Sequence, residues 1–158
     1  MDKLKVFGKA NLKGSIKIPG AKNSVLPIMA SSILSSSELR LKNVPFLVDM
    51  KTMKKLLESF GTKFSHQGDS MTLINKNLTY QIADYDLVRK MRASILVLGP
   101  LLSRFGKAKI SLPGGCAIGT RPIDLHLFGL EKMGVQFKIK EGYIIGKVKG
   151  KLKGSKIK

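Results

Sequence analysis

The sequence predicts a mixed α/β protein assembled from repeated strand–helix units, and three observations predict it. Short runs that alternate apolar and polar residues are interspersed with longer runs of helical periodicity, so neither an all-helical nor an all-β layer accounts for the chain. One pattern occurs twice: Leu57-Glu58-Ser59-Phe60-Gly61-Thr62-Lys63-Phe64 returns as Leu130-Glu131-Lys132-Met133-Gly134-Val135-Gln136-Phe137, each time a helix end, a glycine cap and a following strand. The composition, 43% hydrophobic and 25% charged over 158 residues, is that of a folded soluble domain rather than of a disordered one.

The elements follow in order. Alternation predicts strands at Leu4 to Phe7, Ser15 to Ile18, Leu39 to Leu41, Lys63 to Ser65, Met71 to Ile74, Ala108 to Leu112, Val135 to Ile139 and Tyr143 to Val148. Helical spacing predicts Asn23 to Ser35, Val48 to Phe60, Asp86 to Ser103 and Ile123 to Met133. In the second of these, Met50, Met53, Leu56, Leu57 and Phe60 fall on one face. Each helix stops at a glycine or a polar cluster.

Two weaker echoes accompany the main repeat. Ile16-Lys17-Ile18-Pro19-Gly20 matches Ile110-Ser111-Leu112-Pro113-Gly114, a strand entering a Pro-Gly loop. Leu12-Lys13-Gly14-Ser15 matches Leu152-Lys153-Gly154-Ser155, so a unit is expected to open near Leu152 and not to close by Lys158. Repeat units bury their apolar faces against neighbours, and the chain is therefore expected to be part of a longer polypeptide with an exposed apolar edge.

Composition also limits the function. A single cysteine excludes an intrachain disulfide, and His66 and His126 stand apart from any cluster with metal-ligand spacing, so no metal or cofactor is expected and a reducing, cytoplasmic setting fits. The start of the chain lacks a signal-peptide pattern, and its most apolar run, Ala93 to Leu102, is about half a membrane span. That run is expected to be a buried helix. The formal charge of +19 raises nonspecific affinity for nucleic acid, but 6% aromatic residues, no tryptophan and dispersed lysines argue against a dedicated nucleic-acid surface. The same charge suits anionic substrates.

Four constellations carry chemistry. In Pro19-Gly20-Ala21-Lys22-Asn23-Ser24 a strand ends in a glycine turn before a helix, where free N–H groups and the Lys22 ammonium form a natural carboxylate or phosphate site; an ordinary cap beside a solvated lysine is the plain alternative. In Asp86-Leu87-Val88-Arg89-Lys90-Met91-Arg92-Ala93-Ser94 the two arginines share one side at helical spacing, either solvated or reaching a phosphate. The third is Leu112-Pro113-Gly114-Gly115-Cys116-Ala117-Ile118-Gly119-Thr120-Arg121. A lone cysteine is commonly a small buried hydrophobe, but one among so many glycines is expected in a mobile, solvent-reachable loop, with Arg121 placed to favour the thiolate and hold an anion. The fourth is Arg121-Pro122-Ile123-Asp124-Leu125-His126: Pro122 suits a first helical position, and Asp124 either complements the helix dipole or accepts from a ligand base.

With Pro-Gly-Ala-Lys-Asn at 19 to 23, the run at 86 to 94 and the segment from Leu112 to His126, essentially the whole chain resembles the UDP-N-acetylglucosamine 1-carboxyvinyltransferase family. The resemblance implies transfer of the enolpyruvyl group of phosphoenolpyruvate to the 3-hydroxyl of UDP-N-acetylglucosamine, with release of phosphate, as the step opening cytoplasmic peptidoglycan synthesis. It implies Cys116 as the acid that protonates the methylene carbon and as the thiol alkylated by fosfomycin. Lys22 and Arg121 would hold phosphoenolpyruvate, Asn23 and Arg92 the nucleotide sugar, and Arg121, Pro122, Ile123, Asp124 and Leu125 would cradle the uridine end with His126 beside it. No cofactor is implied.

The family's fold is an inside-out α/β barrel of three repeated units per domain, with the active site between two domains. By that pattern residues 1–20 would form a strand of the second domain, and 21–158 about two of three units of the first. The isolated chain is then expected to be inactive and poorly soluble, because one wall of a cleft lacks the orientation and desolvation of a closed site. Three alternatives compete. The related 3-phosphoshikimate 1-carboxyvinyltransferases lack the Pro-Gly-Gly-Cys loop. A non-enzymatic remnant, or one piece of a split enzyme completed by a second chain, fits the same residues, and a basic nucleic-acid module rests on charge alone.

Overall fold

The computed structural model describes residues 3–8, 11–80, 82–83, 85–89, 91–112 and 123–157. The described chain forms two units of the same plan. The first comprises α1 (Lys22–Ser31), extended by a 3₁₀ turn at Ser32–Leu34, then β1 (Leu39–Leu41), α2 (Val48–Ser59), β2 (Lys63–Gln67) and β3 (Ser70–Ile74). The second comprises α3 (Tyr85–Arg89), a 3₁₀ segment at Arg92–Val97 and α4 (Leu98–Phe105), then β4 (Lys107–Ser111), α5 (Asp124–Lys132), β5 (Val135–Lys140) and β6 (Tyr143–Val148). Each unit closes with a three-stranded antiparallel sheet in which the last strand is central: β1-β3-β2 and β4-β6-β5.

Register shows the repeat residue by residue. Phe64 pairs with Leu73 in the first sheet and Phe137 with Gly146 in the second. Leu41 pairs with Met71, and its counterpart Ile110 with Ile144. The glycines of the duplicated pattern, Gly61 and Gly134, have φ of 98° and 100°, a left-handed conformation that glycine adopts without the steric penalty of a Cβ. Beyond each sheet the chain returns to the helix it has just left, Thr79 donating its N–H to Phe60 O at 2.9 Å and Lys153 to Met133 O at 3.0 Å.

α1, α2 and α4 supply most of the buried core, and one face of each sheet packs against it. α1 packs on α2 and on the Arg92–Val97 segment, while α4 packs on the Ser32–Leu34 turn, so the two units share one apolar core. Met29, Ile33, Met53, Leu56, Leu57 and Phe60 are fully buried there with Leu98, Leu101 and Leu102, each contributing about 1.5–3 kcal/mol of apolar transfer. Met71 and Leu73, and Ala108, Ile110 and Ile144, are the buried sides of the alternating sheet strands.

A guanidinium ties the units together. Arg104 Nη1 donates to Ile33 O at 2.7 Å and Ser35 O at 3.1 Å, and Nη2 donates to Ser36 Oγ at 3.2 Å and Asn75 O at 3.3 Å. These include carbonyls left open at the end of the first helical segment.

Three expectations are corrected. The helix expected at Asp86 to Ser103 is broken, because Met91 is extended at φ −144° and ψ 115° and the Ser94 hydroxyl donates to Val88 O (3.1 Å) and Met91 O (2.6 Å), diverting two carbonyls from a continuous ladder. Leu4 to Phe7 and Ser15 to Ile18 form no strand; Leu4, Val6, Phe7, Ile16 and Ile18 are at least 75% exposed. What fixes the latter stretch is the Lys17–Asp69 ion pair at 3.2 Å, whose hydrogen bond and charge hold the Asp69 carboxyl below its ordinary pKa, and Asn43 Nδ2 donating to Ile18 O at 3.2 Å. Finally, the match of Ile16–Gly20 to Ile110–Gly114 is one of sequence only, since β4 has β1 as its structural counterpart.

Candidate functional site

The candidate residues gather at helix beginnings. Lys22 and Asn23 are the first two residues of α1, after Ala21, whose extended backbone caps the helix without a side-chain bond. Asp49 is the second residue of α2, and its Oδ2 lies 3.1 Å from Lys22 Nζ, so the ion pair joins the two helix starts. Both side chains are partly exposed, leaving the ammonium open on one side to a ligand. Asn23 is exposed beside it.

Topology brings the second unit's candidates to a comparable end. Ala83 runs parallel to Ile110 of β4, so the path into α3 and the path towards α5 leave the same end of the sheet. In open α/β layers, ligands bind at the carboxyl ends of such strands, where helix N-termini present N–H groups and partial positive charge. Ile123 occupies the N-cap of α5 and is half-buried, while Asp124, Leu125 and His126 form its first turn and are exposed. Arg92 opens the 3₁₀ segment after the break at Met91. Cys116, Arg121 and Pro122 lie outside the described residues, as does the Arg92 side chain.

Asp49 is the site residue that sequence reasoning passed over. An acidic residue in a first turn already has a reason to be there, favouring the dipole, and nothing in its spacing from Lys22 signals a contact. Among the described residues no His, Cys, Asp and Glu cluster could hold a metal ion, and no helix is long and apolar enough to cross a membrane.

The architecture of two αβαββ units, with Lys22 and Asn23 at the start of one helix and Asp49 paired to Lys22 from the start of another, defines a class. Residues 6–158 match the family described as EPSP synthase (3-phosphoshikimate 1-carboxyvinyltransferase), and the chain belongs to that family. Among curated proteins, it is 54% identical over 158 residues to a UDP-N-acetylglucosamine 1-carboxyvinyltransferase of Helicobacter hepaticus, covering 99% of this chain and 38% of the relative. It is 53% identical over 157 residues to one of Campylobacter jejuni, again covering 99% of this chain and 37% of the relative. The chain thus spans less than two-fifths of the length of these relatives.

Solved structures agree on the fold. The enolpyruvyl transferase NikO of Streptomyces tendae superposes with a TM-score of 0.75 at 21% identity, over 90% of this chain and 31% of that one. An EPSP synthase of Acinetobacter baumannii gives 0.60 at 17% identity, over 85% and 33%.

Proposed function

We propose that this chain supplies part of the active site of a UDP-N-acetylglucosamine 1-carboxyvinyltransferase, acting in the cytoplasm in peptidoglycan synthesis. The observation that carries this reading is 54% identity along the whole chain to a protein of that name, over a sequence that includes the Pro-Gly-Gly-Cys loop. The 17% identity to an EPSP synthase makes phosphoshikimate the weaker choice of acceptor.

In the proposed reaction the sugar 3-hydroxyl adds to C2 of phosphoenolpyruvate while a proton goes to C3. Loss of phosphate and of a C3 proton then leaves the enolpyruvyl ether. Cys116 delivers the proton to C3 as general acid. Lys22 and Arg121 hold the phosphoenolpyruvate anion, the first from the start of α1, where N–H groups and dipole add to the ammonium. Asp49 orients Lys22 through their 3.1 Å contact. Asn23, Arg92 and residues 121–126 bind the nucleotide sugar.

The domain reading belongs to the same proposal. Residues 1–20 join a second domain, and 21–158 form about two of three units of the first. The exposed apolar residues Leu4, Val6, Phe7, Leu12, Ile16 and Ile18 fit a segment that is covered elsewhere.

The test supplies the remaining length. The chain is fused to the carboxyl-terminal remainder of the Helicobacter hepaticus relative, and phosphate release from phosphoenolpyruvate is followed with each acceptor. Release with UDP-N-acetylglucosamine, lost by at least about 100-fold in Cys116→Ser, is expected. Fosfomycin should add its mass to the fused protein and not to the Cys116→Ser variant. A soluble fusion that releases phosphate with 3-phosphoshikimate, or with neither acceptor while the intact relative is active, would refute the proposal.

A further inference from the structure

The second sheet has one face on the core and one turned away from it, and the two faces differ in charge. Ala108, Ile110 and Ile144 are buried in the core, so the alternate residues of the same strands lie on the other side. By register, Ile145 of β6 stands directly between Lys109 of β4 and Lys138 of β5. Lys147 stands beside Lys107, and Tyr143 beside Lys140. The nine strand positions on this face hold five lysines and no carboxylate. Glu141, in the adjoining turn, pairs with Lys140 at 3.4 Å and leaves the other four lysines without an acidic partner among the described residues. Like charges directly opposite each other repel, so the Lys107–Lys147 pair costs the fold stability instead of adding to it. The first unit supplies the comparison: the corresponding face of its sheet carries only Arg40 and Lys63, and Arg40 is already bound to Glu38 at 3.0 Å. The gathering of charge is therefore a property of the second sheet and not of the shared plan.

Dispersal along the sequence hides this patch, because alternate residues of three strands are far apart in the chain and adjacent in space. Across the ladder they are about 4.8 Å apart, and along a strand about 6.8 Å. Two rings lie among them: Lys109 Nζ sits 4.5 Å from the ring centroid of Tyr143, and Lys107 Nζ 4.6 Å from that of Tyr80. An ammonium over a ring marks a ring face that a flat partner can also take. We infer that this face binds single-stranded nucleic acid without base preference, the lysines meeting phosphates and Tyr143 stacking a base where Lys109 now lies. On binding, the Lys109 ammonium exchanges the ring for a phosphate oxygen, a charged and stronger acceptor. Anionic lipid is the poorer match, because Tyr143 and Ile145 are half-buried in the face and offer no protruding side chain to enter a bilayer. The inference rests on strand register, uses none of the residues assigned to the transferase site, and is independent of the proposed chemistry.

The test titrates the fused protein described above with a fluorescent oligouridylate of about 12 nucleotides, at salt from about 0.05 to 0.2 M. The unaltered protein should bind with a log–log salt slope of about −3, from about four neutralised phosphates on a single strand. One variant combines Lys107→Gln, Lys109→Gln, Lys138→Gln and Lys147→Gln. Its control combines Lys51→Gln, Lys55→Gln, Lys63→Gln and Lys76→Gln, exposed lysines of the first unit, so both variants lose the same charge. The face variant is expected to bind at least about tenfold more weakly with a flatter slope, and the control within about threefold of the unaltered protein. Loss of the Lys107–Lys147 repulsion should keep the face variant folded, with an unfolding midpoint no lower than that of the unaltered protein. Tyr143→Leu keeps an apolar side chain and removes the ring, and should weaken binding about fivefold at an unchanged slope. Equal losses in the two four-lysine variants would show that net charge alone attracts the strand and would overturn the inference. Undiminished binding by Tyr143→Leu would overturn it too, as would no binding by the unaltered protein at about 0.1 M salt. So would tighter binding to phosphatidylserine vesicles than to oligouridylate at equal phosphate, which would assign the face to a membrane.

Discussion

At the scale of single residues, two charged side chains show how little of a tertiary role is visible in sequence. Arg104 sits in a helix end where a cation near the last carbonyls is expected, yet its acceptors come from residues 33, 35, 36 and 75. A planar fork of donors can serve several carbonyls at once, which a lysine ammonium on a flexible stem does less well. Arg104→Ala is expected to cost about 2–3 kcal/mol in urea unfolding, with Arg104→Lys recovering less than half. An equal recovery by lysine would show that charge alone, and not the fork, holds the units together. Lys22 is the converse case: its position at a helix start was legible from the Pro-Gly turn before it, whereas its partner Asp49 was not, because the contact is made between two helices.

At the scale of elements, periodicity located most of the structure, and the failures share a cause. β1, α2, β3 and β6 fall at or within a residue of the expected positions, since each buries one face and alternates accordingly. Where apolarity is continuous, from Ala93 to Leu102, period alone does not distinguish a straight helix from the observed break, which a serine hydroxyl and an extended Met91 enforce. The segment before α1 misled for the opposite reason: it alternates like a strand but pairs with no strand among the described residues. Besides the Lys17–Asp69 and Asn43–Ile18 contacts, its geometry depends on Gly20, where a Cβ would run into Asn43 O, a backbone atom with no freedom to yield. Gly20→Ala is therefore expected to push residues 18–21 away from Asn43 and to displace the start of α1. In amide spectra of the chain, the shifts should centre on Lys22 to Val25 and on Asn43, while α4 and β6 stay unmoved. Shifts confined to residue 20 would mean that the close approach does not position the helix.

At the scale of the molecule, the same plan folded twice gives two different degrees of burial. α2 is held between α1, α3 and its own sheet, and Met50, Met53, Leu56 and Leu57 are buried along it. α5 has the same place in the second unit and packs chiefly on β5, with no fully buried residue; Leu125 is 77% exposed and Phe128 41%. The repeated sequence foretold the equivalence of the helices but not this asymmetry, which depends on what packs against each and not on their own residues. In a repeat protein, stability is the sum of each unit and its interfaces, so a helix with less packed against it opens more readily than its better-covered copy. Hydrogen exchange at neutral pH should then show the amides of Gly129 to Met133 exchanging on the order of 100-fold faster than those of Leu56 to Phe60, although both stretches end in the same glycine-capped turn. The difference should shrink when the chain is fused to the remainder of its relative, because in the proposed three-unit domain a further unit would cover α5 as the second unit covers α2. If α5 exchanged as slowly as α2 in the 158-residue chain, burial against neighbouring units would not be what stabilises these helices. If the fusion left α5 unprotected, the assignment of residues 21–158 to a larger barrel would fall with it.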